Sequence, residues 1–312
     1  MYAIQIHAHE PDNLRYEAID TPQPGPGEVL IRNQAAGVNP IDWKTCSGGG
    51  ASGFIEAFPF IPGWEFSGVV EALGEGVSGY KPGDAVLGFV RFPHPAGCYA
   101  EQLCVPANQI TLRPEGLDAT TAAGLGLAGL TAWQSLFDKG QLQAGESVLI
   151  LAGAGGVGHL AVQLAALKGA QVSATCSATN RDYLTSLGCH QVIDYRDLDM
   201  GTLASQFDLI LDGVGGDTAI DALITLKPGG RMVTLPSVTA AQVSSAAEGS
   251  DIEVMTIRVE PNATQLGKLA RLCANGQLKL KVAQVLPLQD AAQAHKLSAS
   301  GHISGKLILQ TG

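Results

Sequence analysis

Three glycines, Gly153, Gly155 and Gly158, stand in G-x-G-x-x-G spacing directly after the apolar run 147–151. They head an amphipathic stretch in which Val157, Leu160, Leu164 and Leu167 recur at helical spacing. A phosphate-cradling loop needs glycine at all three places: for a tight turn, for close approach of backbone to a pyrophosphate, and for packing of helix on strand. The helix N-terminus then offers free N–H groups and a positive dipole end to phosphate oxygens. With Gly156 and Val157 these residues form a candidate dinucleotide site. An acid about 20 residues beyond such a loop would bond the ribose hydroxyls of NAD. Residues 176–181 read C-S-A-T-N-R instead, with no carboxylate before Asp182. Ser177 and Asn180 can donate hydrogen bonds to a 2′-phosphate, and Arg181 can pair with it in bidentate geometry. NADPH is therefore the expected cofactor.

The elements that must position this loop follow from patterning. Residues 1 to about 118 alternate in short runs (2–7, 28–36, 68–73, 85–89, 99–105), punctuated by Pro24-Gly25-Pro26-Gly27 and Lys81-Pro82-Gly83-Asp84, and read as a mostly β domain. An Ala/Gly/Leu-rich helical stretch follows at 119–136. From residue 147 onward, predicted strands at 147–151, 171–175, 191–194, 209–212, 231–235 and 253–259 alternate with amphipathic segments. That is the βαβ rhythm of a doubly wound parallel sheet. A helix at 263–275, a strand-like 279–288, a helix at 288–298 and a final run at 306–310 complete the chain. The tail is expected to return to the first domain, giving one discontinuous unit (1–121 and 261–312) and one dinucleotide-binding unit (122–260).

Composition narrows the partners. Nineteen Lys+Arg against 29 Asp+Glu give a net charge of −10, and no window carries the basic run that a phosphate-tracking surface needs, so nucleic acid is not an expected partner. The uncharged stretches 119–137 and 147–167 are interrupted by glycines and polar residues, so no membrane span is expected. The N-terminal segment has neither the basic start nor the apolar core of a secretory signal, which predicts a cytoplasmic protein. Six scattered cysteines form no C-x-x-C pair and read as free thiols.

The chain resembles the zinc-independent quinone oxidoreductases, the zeta-crystallin-like branch of the medium-chain dehydrogenase/reductase superfamily. The pieces, in order, are GVNPIDWK at 37–44, PFIPGWEFSGVV at 59–70, YKPGDAV at 80–86, GLTAWQSL at 129–136, AGAGGVG, SLGCHQVIDY and DGVGG at 212–216. The resemblance implies an α/β protein: a GroES-like mostly β domain plus a Rossmann doubly wound parallel sheet, with the cofactor in the cleft between them. Zinc-dependent relatives carry a cysteine where this chain has Asn39 and a histidine where it has Trp64, and the cysteines of their structural-zinc lobe are missing. An amide and an indole do not ligate zinc, so no metal is expected.

Without a Lewis acid, the feasible acceptors are those that delocalise charge as hydride arrives, namely quinones and α,β-unsaturated carbonyls. The resemblance places Asn39 near the substrate oxygen, Asp42 behind its loop, Thr131 beside the nicotinamide and Tyr195 at the 2′-phosphate. It places the backbone of Val214, Gly215, Leu235, Pro236 and Ser237 on the ribose and carboxamide, and returns Ser304, Gly305 and Lys306 to the cofactor. Ten of 17 aromatic residues fall between Trp43 and Tyr99, and Trp43, Phe54 and Trp64 are the expected walls of a pocket for a flat substrate. The expected function is NADPH-dependent hydride transfer to a quinone or enone by a homodimer paired through the strand at 253–259. The alternatives are a 2-alkenal or enoyl-thioester reductase, for which Lys139 and Lys168 are the only basic candidates, and a non-catalytic NADPH-binding redox sensor.

Overall fold

The computed structural model describes residues 1–10 and 13–311. The chain divides into two compact units, residues 1–130 with 260–312, and residues 131–259.

The first unit begins with a two-stranded antiparallel ribbon, β1 (Tyr2–Gln5) and β2 (Arg15–Ala18). The main sheet then takes up β3 (Glu28–Val38), β4 (Glu65–Leu73), β5 (Ala85–Phe89), β6 (Gln102–Pro106) and β7 (Ile110–Leu112). Helix α1 (Pro40–Cys46) follows β3 directly, with proline at its first position, where the missing N–H costs nothing. The helical stretch expected at 119–136 is broken into α2 (Ala119–Ala123), capped by Asp118, and α3 (Gly126–Trp133). A π-turn over Gln134–Lys139 follows, closed by the Gly140 N–H on Ser135 O. The division between the two units falls within α3.

The second unit is a parallel sheet of β8 (Ser147–Ile150), β9 (Gln171–Cys176), β10 (Gln191–Asp194), β11 (Phe207–Asp212), β12 (Leu226–Thr234) and β13 (Glu253–Thr256). Helices α4 (Gly158–Lys168), α5 (Arg181–Ser186), α6 (Gly216–Ala222) and α7 (Ala240–Ala246) connect them. The strand order β10-β9-β8-β11-β12-β13 is the doubly wound Rossmann order, with the first strand at the switch point where ligands bind. A core of Leu149, Ile210, Ala219, Met232 and Val243 packs helices on one face of the sheet.

The chain then returns to the first unit through α8 (Ala263–Ala274), β14 (Val282–Pro287), α9 (Ala291–Ala299) and β15 (Lys306–Gln310). β15 is antiparallel to β3, with Leu307 opposite Val38 and Gln310 opposite Ala35, and the sheet runs β14-β15-β3-β4-β5-β7 with β6 also on β3. This pairing brings Lys306 beside the turn where β3 becomes α1.

Candidate functional site

In the second unit the loop after β8 is fastened to its neighbour strand: Ala152 N–H donates to Thr175 Oγ1 (3.0 Å) and Gly153 N–H to Thr175 O (2.8 Å). A Cβ at Gly153 would lie 2.7 Å from that of Ala174, and one at Gly158 only 2.2 Å from Ala152 O. A Cβ at Gly155 would meet nothing closer than Ala152 O at 3.3 Å, so this glycine keeps open the space a pyrophosphate would take. The buried His159 sets its Nδ1 2.8 Å from Gly155 O; a carbonyl only accepts, so Nδ1 carries the proton. Sequence reasoning assigned His159 no role, and its place one residue into the helix was the signal available. These residues fit a dinucleotide.

The structure gathers Ser177, Asn180, Arg181 and Tyr195 at the carboxyl ends of β9 and β10. Asn180 Nδ2 donates to Ser177 Oγ (3.1 Å), Arg181 Nη1 to Val192 O (3.0 Å), and Tyr195 N–H to Cys176 O (3.2 Å), leaving the Tyr195 ring exposed. At the ends of β11 and β12, buried Asp212 accepts from Val214 N (2.8 Å), Gly215 N (2.9 Å) and Thr234 Oγ1 (2.6 Å). Gly215 has φ +78, and a Cβ there would strike Thr239 Oγ1 at 2.3 Å. Asp212 thus moulds the turn carrying Val214 and Gly215, and its backbone oxygen holds Leu235 N, from which Pro236 and Ser237 continue. Asp212 was read only as part of a motif; an acid closing an apolar strand is the signal that it must find buried donors. On α3, Thr131 Oγ1 is buried and makes no hydrogen bond, so a hydroxyl is held without a protein partner.

The first unit holds a buried polar cluster. Lys306, 3% exposed, directs Nζ to Val38 O (3.0 Å), Glu65 Oε1 (2.9 Å) and Asn39 Oδ1. Asn39 Nδ2 donates to the same Glu65 oxygen (2.7 Å), while Glu65 Oε2 accepts from Leu127 N–H in the first turn of α3 (2.6 Å). The amide orientation of Asn39 is thereby set by chemistry, oxygen to ammonium and nitrogen to carboxylate. Asn39 is 1% exposed. The carboxylate leaves no room around it, since a Cβ at Gly37 would lie 2.1 Å from Glu65 Oε1.

Asp42, in the first turn of α1, accepts from Asn39 N–H (2.7 Å) and Tyr99 Oη (2.8 Å) through Oδ2, with Oδ1 buried and unpartnered. Burial pushes its carboxyl up to about 7, against the lowering by those two donors and by the Lys306 charge. Burial likewise pushes His295 down to about 4, so the imidazole is neutral; its Nε2 lies 3.4 Å from Tyr99 Oη.

Several placements differ from expectation. Lys306, expected at the cofactor, directs its three donors to oxygens of the first unit. Ser304 Oγ accepts from Lys281 Nζ (3.0 Å), and Gly305, at φ +93, lets the chain pass Lys281 O. Trp64, expected as a pocket wall, is 0% exposed: it packs against Phe60 and Phe92, and its Nε1 donates to His94 O (2.8 Å). Phe54 is partly exposed and edge-on to His94, while Trp43 sits on α1 with its Nε1 buried and unpartnered. Among the described residues no group of three or more His, Cys, Asp or Glu side chains could hold a metal ion, and no helix is long and apolar enough to cross a membrane.

Comparison with known proteins agrees with this architecture. The alcohol dehydrogenase GroES-like domain family matches residues 25–115, and the zinc-binding dehydrogenase family matches residues 187–309. The chain is 30% identical to a chloroplast envelope quinone oxidoreductase homolog of Arabidopsis thaliana, over 99% of this chain and 98% of that one. Among solved structures it is similar to the quinone oxidoreductase of Coxiella burnetii (TM-score 0.95, 36% identity, covering 100% of this chain and 99% of that one). It is also similar to the Escherichia coli quinone oxidoreductase complexed with NADPH (TM-score 0.88, 26% identity, 100% of both chains). The chain belongs to the quinone oxidoreductase branch of the medium-chain dehydrogenase/reductase superfamily. It is an NAD(P)H-dependent oxidoreductase.

Proposed function

We propose that this oxidoreductase uses NADPH to reduce a quinone or an alkene conjugated to a carbonyl, without zinc. The observation that carries the acceptor class is the cluster around Asn39: where zinc-dependent relatives place metal ligands, this chain places an amide clamped by Lys306 and Glu65, and a buried indole. Hydrogen-bond donors of this kind suffice when the acceptor spreads its incoming charge over a conjugated system. The dinucleotide, when bound, supplies the hydride.

The protein's own part is grip and orientation. Gly153, Gly155, Gly156, Val157 and Gly158 would hold the pyrophosphate, and Ser177, Asn180, Arg181 and Tyr195 the 2′-phosphate. Val214, Gly215, Leu235, Pro236 and Ser237 would hold the ribose and carboxamide through their backbone. The unpartnered Thr131 hydroxyl supports a place beside the nicotinamide, and the remaining Nδ2 hydrogen of Asn39 supports a bond to the acceptor oxygen.

The test is the rate of NADPH and of NADH oxidation by chelator-treated protein with a panel of ortho- and para-quinones and 2-alkenals, for wild type and Asn39→Ala. Turnover with NADPH that survives chelation and falls sharply in the variant, with NADPH affinity retained, supports the reading. NADPH binding without turnover on any acceptor would sink the acceptor class and favour a redox sensor.

A further inference from the structure

Arg196 follows the carboxyl end of β10 in the second unit. β10 runs parallel to β9 with Asp194 opposite Cys176, so the residues after Asp194 emerge beside the turn at 177–180. Asp194 accepts from Arg196 three times: Oδ1 from the backbone N (3.1 Å) and Nε (3.1 Å), Oδ2 from Nη2 (2.8 Å). The Tyr195 N–H, next to Asp194, donates to Cys176 O (3.2 Å), which fastens the end of β10 to the strand that leads into Ser177 and Asn180. The register thus sets the Asp194–Arg196 pair beside the segment expected to meet a 2′-phosphate. These bonds use Nε and Nη2 of the guanidinium, and 57% of the Arg196 side chain stays open to solvent while Asp194 is 8% exposed.

An isolated carboxylate here would repel a phosphate. Paired with Arg196 it is neutralised, and the same pairing holds the guanidinium in one orientation. The other charges nearby are Arg181, Asp182 in the first turn of α5, and Asp197, whose N–H returns to Asp194 O.

We infer that Arg196 is a specificity-determining residue for the 2′-phosphate of the cofactor, with Asp194 as its positioning residue. The inference rests on the NADPH reading above and deepens it. Arg196 adds a second guanidinium at the ends of β9 and β10, and its loss does double damage, removing an attractive charge and exposing a repulsive one.

The experiment compares dissociation constants for NADPH and NADH, with 2′,5′-ADP and 5′-AMP as competitors, in wild type, Arg196→Ala, Arg196→Gln and the double variant Arg196→Ala/Asp194→Asn. Thermal unfolding of each variant serves as the folding control. The single variants are expected to weaken NADPH and 2′,5′-ADP by about tenfold or more, with NADH and 5′-AMP changed by less than about twofold. The double variant should regain part of the NADPH loss, because the uncompensated carboxylate is gone. Equal loss on both nucleotides, unchanged NADPH affinity, or no recovery in the double variant overturns the inference. Wild-type protein that binds both nucleotides equally overturns the NADPH reading and this inference together. Wild-type preference that persists in Arg196→Ala removes Arg196 alone.

Discussion

Lys306 Nζ lies 2.9 Å from Glu65 Oε1, joining residues 241 positions apart in the chain. The pair is desolvated on both sides, at 3% and 0% side-chain exposure, and Asn39 is held between its two charges. The last strand of the protein therefore supplies the charge that fixes the orientation of an amide at the end of the third.

Removing one partner of such a pair leaves a bare buried charge, which costs about 3–5 kcal/mol. Lys306→Met is expected to lower unfolding free energy by that amount in a denaturant titration, and Lys306→Met combined with Glu65→Gln to recover much of it. A loss below about 1 kcal/mol in the single variant would show that the cluster does not depend on the pair.

Asp42 makes the fold sensitive to pH. Its carboxyl rises from 3.8 to about 7 on burial, so its favourable contribution is fully present below about pH 4 and is lost as pH rises through about 7. Asp42→Asn keeps an acceptor for Asn39 N–H and Tyr99 Oη, and should flatten the fall in stability between those limits by on the order of a few kcal/mol. Parallel stability-versus-pH curves for the two proteins would refute this assignment.

The two outer glycines of the phosphate loop and the middle one should fail differently. Gly158→Ala forces a Cβ to 2.2 Å from Ala152 O and should lower both melting temperature and nucleotide affinity. Gly155→Ala meets only one atom, at 3.3 Å, and should leave melting nearly unchanged while weakening nucleotide binding. Unaltered nucleotide affinity in Gly155→Ala would mean that the pyrophosphate does not approach there.

Thr131→Val should separate stability from activity. The buried hydroxyl has no protein partner, so an isosteric apolar side chain is neutral or stabilising by about 1 kcal/mol. If the hydroxyl serves the nicotinamide, turnover falls in the same variant. Turnover equal to wild type would leave Thr131 as packing only.

The parts of this structure that were legible in sequence are those with a local signature. The strands of the second unit are short apolar runs between turn residues, and their alternation with amphipathic segments dictates a parallel sheet, so they appear at or near the expected positions. The glycine loop is legible because the packing of strand and helix leaves no room for a Cβ at Gly153 or Gly158. β2 and β7 escaped notice, being four and three residues long with no clear alternation. The helical stretch at 119–136 divides because Gly124 ends α2, which composition alone does not reveal. For the Lys306–Glu65–Asn39 cluster the local signal stops at the single residue. A lysine opening the apolar strand KLILQ and a glutamate opening EFSGVV each state that a buried partner must exist, but which partner is a matter of tertiary pairing. Trp64 misled for the same reason, since an indole beside a presumed pocket and an indole in a core have the same neighbours in sequence.

The return of β15 to β3 sets an order on the birth of the molecule. At about 5–20 residues per second, a ribosome that has finished β3 needs on the order of ten to fifty seconds more before residues 306–310 emerge. Throughout that interval residues 35–38 of β3 wait for their antiparallel neighbour, and Glu65 waits for its counter-charge. The parallel sheet, translated later, has all six of its strands by residue 256. The half of the protein made first is therefore the half completed last, and a nascent chain stalled short of its final strand would carry a finished nucleotide-binding unit beside an unfinished one.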